Sequence, residues 1–593
     1  MKRALIIPAA VARALLPLLL FLFAASALVA QTNASSTDTV DTIAGHIDVP
    51  AGESLSGASV RLGSFYGAMG GQFQASTKVD NSGNFRFTGL QPGLYSVSVS
   101  VPGLVNAPNP ASSETRRFYR PGDTVNFTLI KGGVITGKVT NAANAPMVAA
   151  PVRFFRVADA EGKRLPTPNI LGETLTDDRG IYRRYGLIAG TYIVSTGGAS
   201  RGPNGPYLSI AYSNDVPTYA PSSTRDTAAE FVVRPGEEIT VDIQYRREAG
   251  YAISGSVAGL SESQTSAITM ASINLIEVKT SAQVANTGAN SFTNYSFEIA
   301  GLPDGEYELT AQQGDQMSDP VRVTVKGEDI SGVNLSLHPL ASISGHVVFE
   351  TDSKTDCARR RATARQETTV AARRFSASAT AERNQKETAA DIPLLYQNLS
   401  REAGLDEKSD FIIKSLPKGS YWIIPQPPDP GWFVRSLEAA KTPASRSSNV
   451  ARDGVAVGAG DRFSNLSVTL TDGAATLKGR VTLPKHEQLP ARLRFYLVPA
   501  EKENSEDVLR YFETAVQRDG SFTLSNLEPG RYLAIARAAE DADPVSVKSI
   551  RRDSGWRANI VKAATALNRQ VTFKPCEQNS DYEFPLTPAT SPQ

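Results

Sequence analysis

One stretch constrains the whole chain: Asp80-Asn81-Ser82-Gly83-Asn84-Phe85-Arg86-Phe87-Thr88-Gly89-Leu90-Gln91-Pro92-Gly93-Leu94-Tyr95. It recurs four times in weaker form: Gly180-Ile181-Tyr182 with Leu187, Gly190 and Tyr192; Phe297 and Ile299 with Leu302, Gly305 and Tyr307; Phe411 and Ile413 with Leu416, Gly419 and Tyr421; and Gly520 to Leu524 with Leu527, Gly530 and Tyr532. Such recurrence marks an array of one supersecondary unit. Phe85 and Phe87 alternate with Asn84 and Arg86, the period of a half-buried strand. Pro92-Gly93 signals a turn, because proline presets φ and glycine accepts positive φ. Tyr95, Val97 and Val99 share one face of a returning strand. The unit reads as strand, tight bend, strand, with the tyrosine plugging the core and its hydroxyl bonded at the bend. Two strands cannot bury their own apolar face, so more must join them.

A second signature precedes each copy: apolar, any, Gly, any, apolar. It reads Ile43-Ala44-Gly45-His46-Ile47, Ile135-Thr136-Gly137-Lys138-Val139, Ile253-Ser254-Gly255-Ser256-Val257, Ile343-Ser344-Gly345-His346-Val347 and Leu477-Lys478-Gly479-Arg480-Val481. A glycine in mid-strand implies close approach by another backbone or side chain. Five modules are therefore expected along 593 residues. The divisions fall at 42–131, 132–249, 250–339, 340–472 and 473–593, and the fold class is all-β, five tandem β-sandwiches.

Residues 1–30 read as a secretory signal, with Lys2 and Arg3 before an apolar run and small residues at its end. An uncleaved anchor helix is the competing reading. Residues 31–41 are a polar linker. No later segment is long and apolar enough to span a bilayer, so stable membrane insertion of the mature chain is not expected. The net charge of +1 gives no global field to select nucleic acid or an anionic membrane. The two cysteines, Cys357 and Cys576, lie in different modules. An oxidising compartment permits a bridge, but modules of this size do not require one, and the pairing stays open.

Along the chain, the second strand of module one is read at 58–62, and the glycine-rich run 67–71 lacks the helix and Lys-Ser/Thr of a phosphate cradle. The stretch 125–129 closes that module. In module two, 151–155 matches 58–62, and 231–245 reads as a hairpin-like ending. The insertion 197–221 carries Tyr207, Tyr212 and Tyr219, either to stack on sugars or, the favoured reading, to pack on the sandwich. Module four is stretched by an insertion, 351–408, carrying Arg359, Arg360, Arg361, Arg365, Arg373 and Arg374. It is either a patch for polyanions such as nucleic acid or acidic glycans, or a solvated, partly helical or disordered segment. The lack of interleaved aromatics favours the second and argues against nucleic acid. In module five, 493–498 is the second strand, 558–567 a short helix, 570–573 the final strand, and 584–593 a frayed tail.

The two signatures together resemble the carboxypeptidase regulatory-like domain, a transthyretin-like β-sandwich related to adhesin B repeats and starch-binding-like folds. Gly45, Gly83, Phe85, Leu90, Pro92, Gly93 and Tyr95 carry the resemblance, with their counterparts in the other copies. Modules three and four lack the turn glycine before the bend strand. The resemblance implies a structural motif with no catalytic residue. Some B repeats form a Lys–Asn bond, but only Lys138 stands at the repeated strand position here, so that chemistry is not expected.

Enzymatic signals are sparse. His46 and His346 follow the strand glycine, where other copies hold Lys138, Ser256 and Arg480, so the position reads as solvent-facing. His338 precedes a module boundary and His486 lies in a polar loop. Asp177-Asp178 and Glu237-Glu238 fall in turns. No His-Glu-Xaa-Xaa-His or Gly-Xaa-Ser-Xaa-Gly pattern carries zinc or a nucleophile. No catalytic, cofactor-binding or metal-ligating residue is assigned, and no cofactor. The expectation is a non-catalytic, exported structural or adhesive protein of the periplasm, outer surface or medium. Its modules would act as spacers, and its partners would be other surface proteins or extracellular glycans. The alternative is a carbohydrate-binding protein using Tyr207, Tyr219, Trp432 and Trp556. The oligomeric state is open.

Overall fold

The computed structural model describes residues 41–65, 72–107, 118–199, 212–260, 269–351, 357, 365–375, 400–439, 449–483, 489–490, 492–538 and 554–586. The segments 1–30 and 67–71, together with Tyr207, Arg359, Arg360, Arg361 and His486, lie outside them.

Five sandwiches are built to one plan. Each opens on the strand that carries the mid-strand glycine: Ile43–Asp48, Gly133–Thr140, Tyr251–Ala258, Ala341–Glu350 and Ala475–Thr482. This strand pairs antiparallel with the strand before the bend, as Gly45 faces Phe85 and Gly345 faces Phe411. On its other edge it pairs parallel with the closing strand of its module. The strand after the bend pairs instead with the second strand, in the opposing layer. The bend is therefore an arch between two sheets and not a hairpin within one. In module three the two layers join through Gln316–Ser318, which pairs with strands of both, so one continuous sheet wraps the core.

Each core lies between its own layers. Ile43, Val60, Phe85 and Tyr95 belong to the first, Ile135, Phe154, Tyr182 and Tyr192 to the second, and Ile253, Leu275, Phe297 and Tyr307 to the third. Ile343, Val370, Phe411 and Tyr421 belong to the fourth, and Leu477, Phe495, Phe522 and Tyr532 to the fifth. Each fully buried side chain of this size contributes about 2 kcal/mol.

The mid-strand glycine is forced by both of its neighbours. A Cβ on Gly45 would stand 1.8 Å from the Val125 carbonyl oxygen and 2.6 Å from Phe85 Cζ. Gly137, Gly255, Gly345 and Gly479 meet the carbonyls of Val241, Val333, Leu466 and Tyr582 in the same way. The closing strand thus approaches across the glycine while the bend-strand ring lies over it.

The turn before the bend strand also repeats, even where glycine is missing. Ile47, Val139, Val257, Val347 and Val481 donate their amides to the carbonyls of Gly83, Gly180, Tyr295, Ser409 and Gly520 at 2.8–2.9 Å. That geometry requires positive φ. Tyr295 and Ser409 adopt φ of 57° and 68° where the other copies have glycine.

Several expectations need correction. The stretch 231–245 is no hairpin: Phe231–Val233 pairs with the return strand, and Glu238–Thr240 with the first strand of the other layer. Within 351–408, Thr369–Phe375 is the second strand of module four, paired on both sides. Arg373 and Arg374 are thus part of a sheet, and Arg374 is only 3% exposed. The 14-residue helix Ser554–Leu567 precedes Gln570–Phe573, but the chain closes later, with Gln578–Pro585. Phe584 there is buried in the core and not frayed.

The modules do not string out as spacers. Arg120 of module one donates to the Pro427 carbonyl of module four at 3.0 Å. Its guanidinium also faces the buried Glu367 at 3.9 Å. Asn526 of module five donates to the carbonyls of Asp429 and Trp432 at 2.8 and 2.7 Å. Val508 of module five enters the core of module four. Cys357 and Cys576 form a disulfide that closes 219 residues of chain. The first and fifth modules thus both rest on the fourth.

Candidate functional site

The fold-back leaves a cavity of about 460 Å³ where modules one, four and five meet. Its floor is the outer face of the sheet carrying Thr369–Phe375. Because side chains alternate across a strand, Thr369, Ala371 and Arg373 face the cavity, while Val370 and Ala372 enter the core. Leu94, Phe118 and Arg120 come from module one, and Tyr511, Phe512 and Asn526 from module five. Phe433 adds a further aromatic wall.

The cavity is charged as well as aromatic. Glu367 is 1% exposed and answered by Arg120. Glu402 accepts from the Thr369 hydroxyl. Glu513 pairs with the buried Arg494. Glu528 Oε1 accepts from Arg510 at 2.5 Å. Burial raises the Glu528 carboxyl above its usual range, and Arg510 opposes that shift. Burial lowers the pKa of the Arg373 guanidinium. Repeat arithmetic could not find this site, because it forms only where three copies meet.

The residues singled out from sequence are not brought together. His46 bonds Asn84 at 2.9 Å and His346 bonds Asp410 at 2.8 Å, both on the open face of a sheet. Lys138 is exposed, and its amide donates to Asp242. Asp177 accepts from the amides of Arg179 and Ile181. Glu237 accepts from the amide of Arg234, and Glu238 pairs with Arg183 at 3.0 Å. Among the described residues, no three His, Cys, Asp or Glu side chains cluster to hold a metal ion.

Tyr212 and Tyr219 pack on the sandwich, as favoured from sequence, whereas Trp432 and Trp556 are not the open stacking faces that the alternative reading assigned. Tyr219 and Trp432 are each 6% exposed. Trp432 packs edge-on against Phe349 in the module-four core. Trp556 lies partly buried beside Tyr496 beneath Arg537. The hydroxyl of Tyr212 donates to the Val148 carbonyl.

Architecture and site together define a non-repetitive cleft on a tandem β-sandwich scaffold. Residues 42–115 match the family profile of the carboxypeptidase regulatory-like domain. The matched stretch falls in the first module, and its turn bond and mid-strand glycine contact recur in the other four. No curated protein sequence matches the chain. Among solved structures, the TIE protein of Bacillus anthracis is 10% identical, with a TM-score of 0.14, over 74% of this chain and 76% of its own. Two B repeat units of the collagen-binding protein of Staphylococcus aureus are 13% identical, with a TM-score of 0.12, over 73% and 99%. The major pilin subunit of Bacillus cereus is 10% identical, with a TM-score of 0.12, over 50% and 99%. Overlap this slight carries no functional assignment. No helix among the described residues is long and apolar enough to cross a membrane.

Proposed function

We propose that this is a non-catalytic structural or adhesive protein, exported and displayed at the cell surface, with module divisions at 131/132, 249/250, 339/340 and 472/473. One observation carries the reading: the repeated polar groups serve the fold. The bend tyrosines Tyr95, Tyr192, Tyr307, Tyr421 and Tyr532 each donate to the carbonyl four residues earlier. Turn aspartates cap their own loops, and the strand histidines face solvent. The Cys357–Cys576 bridge suits an oxidising compartment, in keeping with a signal at 1–30. Antibody labelling and protease shaving of intact cells test the proposal. Labelling of unpermeabilised cells supports it; a protein recovered only from the cytosol with reduced thiols refutes it. Carbohydrate binding through Tyr219 or Trp432 loses its basis, since both are buried.

A further inference from the structure

Five carboxylates and two guanidiniums line the three-module cavity: Glu367, Glu402, Asp429, Glu513 and Glu528, with Arg120 and Arg373. The chain itself meets every carboxylate. Arg120, Arg494 and Arg510 answer Glu367, Glu513 and Glu528. Thr369 donates to Glu402, and the Gly431 amide donates to Asp429 at 2.7 Å. Arg373 is different. It stands in a strand paired on both sides, opposite Ser400 and Trp422. Glu402 lies opposite Ala371 instead and is engaged by Thr369. No ion pair joins Arg373 to any described carboxylate. Among the described residues this half-buried guanidinium has no counter-charge, and an anionic ligand supplies one.

We propose that this cavity binds a small acidic saccharide of the uronate class, with Arg373 receiving its carboxylate. A guanidinium fork matches a carboxylate in two parallel hydrogen bonds. The other walls select for the rest of the ligand. With Arg494 and Arg510 counted, five carboxylates meet four guanidiniums, so Arg373 can answer one ligand carboxylate and nothing answers the further charge of a compact polyanion such as phosphate. A ring with one negative charge and several hydroxyl donors fits, because Glu402, Gln426 and Asn526 accept hydroxyl hydrogens. Phe118 and Phe512, both only partly buried, give the cavity apolar walls for the ring's C–H groups. The volume falls within the range of small-molecule sites and admits about one or two sugar rings. The site is independent of the surface role, because a protein that fails cell-surface labelling still either binds or does not bind the sugar.

Isothermal titration of the full chain decides the matter, using galacturonate, its neutral methyl ester and inorganic phosphate. Saturable binding of galacturonate is expected, weakened at least tenfold in the methyl ester. Arg373→Gln should lose a similar factor, and Arg373→Lys should recover part of it by restoring charge without the fork. Melting curves of both variants establish that they fold. The proposal is overturned if galacturonate does not bind, if it binds wild type and Arg373→Gln alike, or if phosphate alone binds as tightly.

Discussion

The Tyr421 hydroxyl donates to the Pro417 carbonyl at 2.6 Å across the arch of module four. It ties the residue entering one sheet to the residue leaving the other. Tyr421 itself is fully buried, so the carbonyl has no water to turn to when the hydroxyl is removed. Tyr421→Phe should cost about 1 kcal/mol, and Tyr421→Ala about 3–5 kcal/mol through the added cavity. Hydrogen exchange resolved along the chain measures both. Loss of protection should concentrate in 341–472; an unchanged Phe variant would mean that the bond does not hold the arch.

Gly345 tests the other recurring contact. An added Cβ would lie 2.1 Å from the Leu466 carbonyl oxygen and 2.8 Å from Phe411 Cζ. Gly345→Ala must therefore push the closing strand away or displace the ring, at about 1–3 kcal/mol or more. Gly404 is the control in the same module, since its Cβ would meet nothing nearer than Phe65 at 3.5 Å. Gly404→Ala should be neutral or stabilising by about 0.5 kcal/mol. Equal urea midpoints for the two variants would sink the close-approach account.

The arch, the tyrosine bond and the strand glycine were legible in sequence because one residue type answers one local demand, five times. What was not legible has physical reasons. The second strand of module four ends in Arg373-Arg374-Phe375, and charge hides a strand whose outer face lines a cleft. The closing strand Gln578–Pro585 needs little apolar content, because only Phe584 is buried in it. The positive φ of Ser409 and Tyr295 is imposed by the hydrogen bond their carbonyls accept, not by their own preference. The cavity depends on contacts between modules, which no period within a module encodes.

Acid should weaken the turns before the bend strands. Asp80, Asp177 and Asp519 are held below the ordinary carboxylate value of 3.8, mainly by hydrogen bonds they accept from their own turns. A folded pKa below the unfolded one gives stability that is present above the unfolded value and lost as pH falls through the folded one. The triple variant Asp80→Asn, Asp177→Asn, Asp519→Asn keeps a side-chain acceptor but removes the charge. Its melting temperature should fall less than that of wild type between pH 5 and about pH 2. Parallel curves would show that these carboxylates add nothing through their charge.

The Cys357–Cys576 bridge joins module four to the loop before the last strand of module five. In the chain-entropy picture, a closed loop of this length adds up to about 5 kcal/mol, and native bridges typically give 2–4. Cys357→Ser with Cys576→Ser should lower the urea midpoint of module five, as should reductant on wild type, with no further effect of reductant on the variant. Peptide mapping without reduction should recover the two cysteines linked. Free thiols in protein taken from intact cells would contradict the bridge and weaken the case for export.

Arg120 tests whether the chain truly folds back on itself. Its guanidinium reaches from module one to the Pro427 carbonyl and to Glu367, whose side chain is 1% exposed. Removing it takes a cation away from a carboxylate buried at an interface, which costs up to about 3–5 kcal/mol if the modules stay together. Separation hydrates Glu367 and relieves that cost, so Arg120→Ala should favour an open form. Small-angle scattering should then report a larger radius of gyration than for wild type. Arg120→Ala with Glu367→Ala removes that carboxylate as well and should restore compaction in part, since Phe65 still packs near Gly404. Identical scattering from wild type and Arg120→Ala would mean that module one is not held on module four by this contact. The three-walled cavity would then lose the wall formed by Leu94, Phe118 and Arg120.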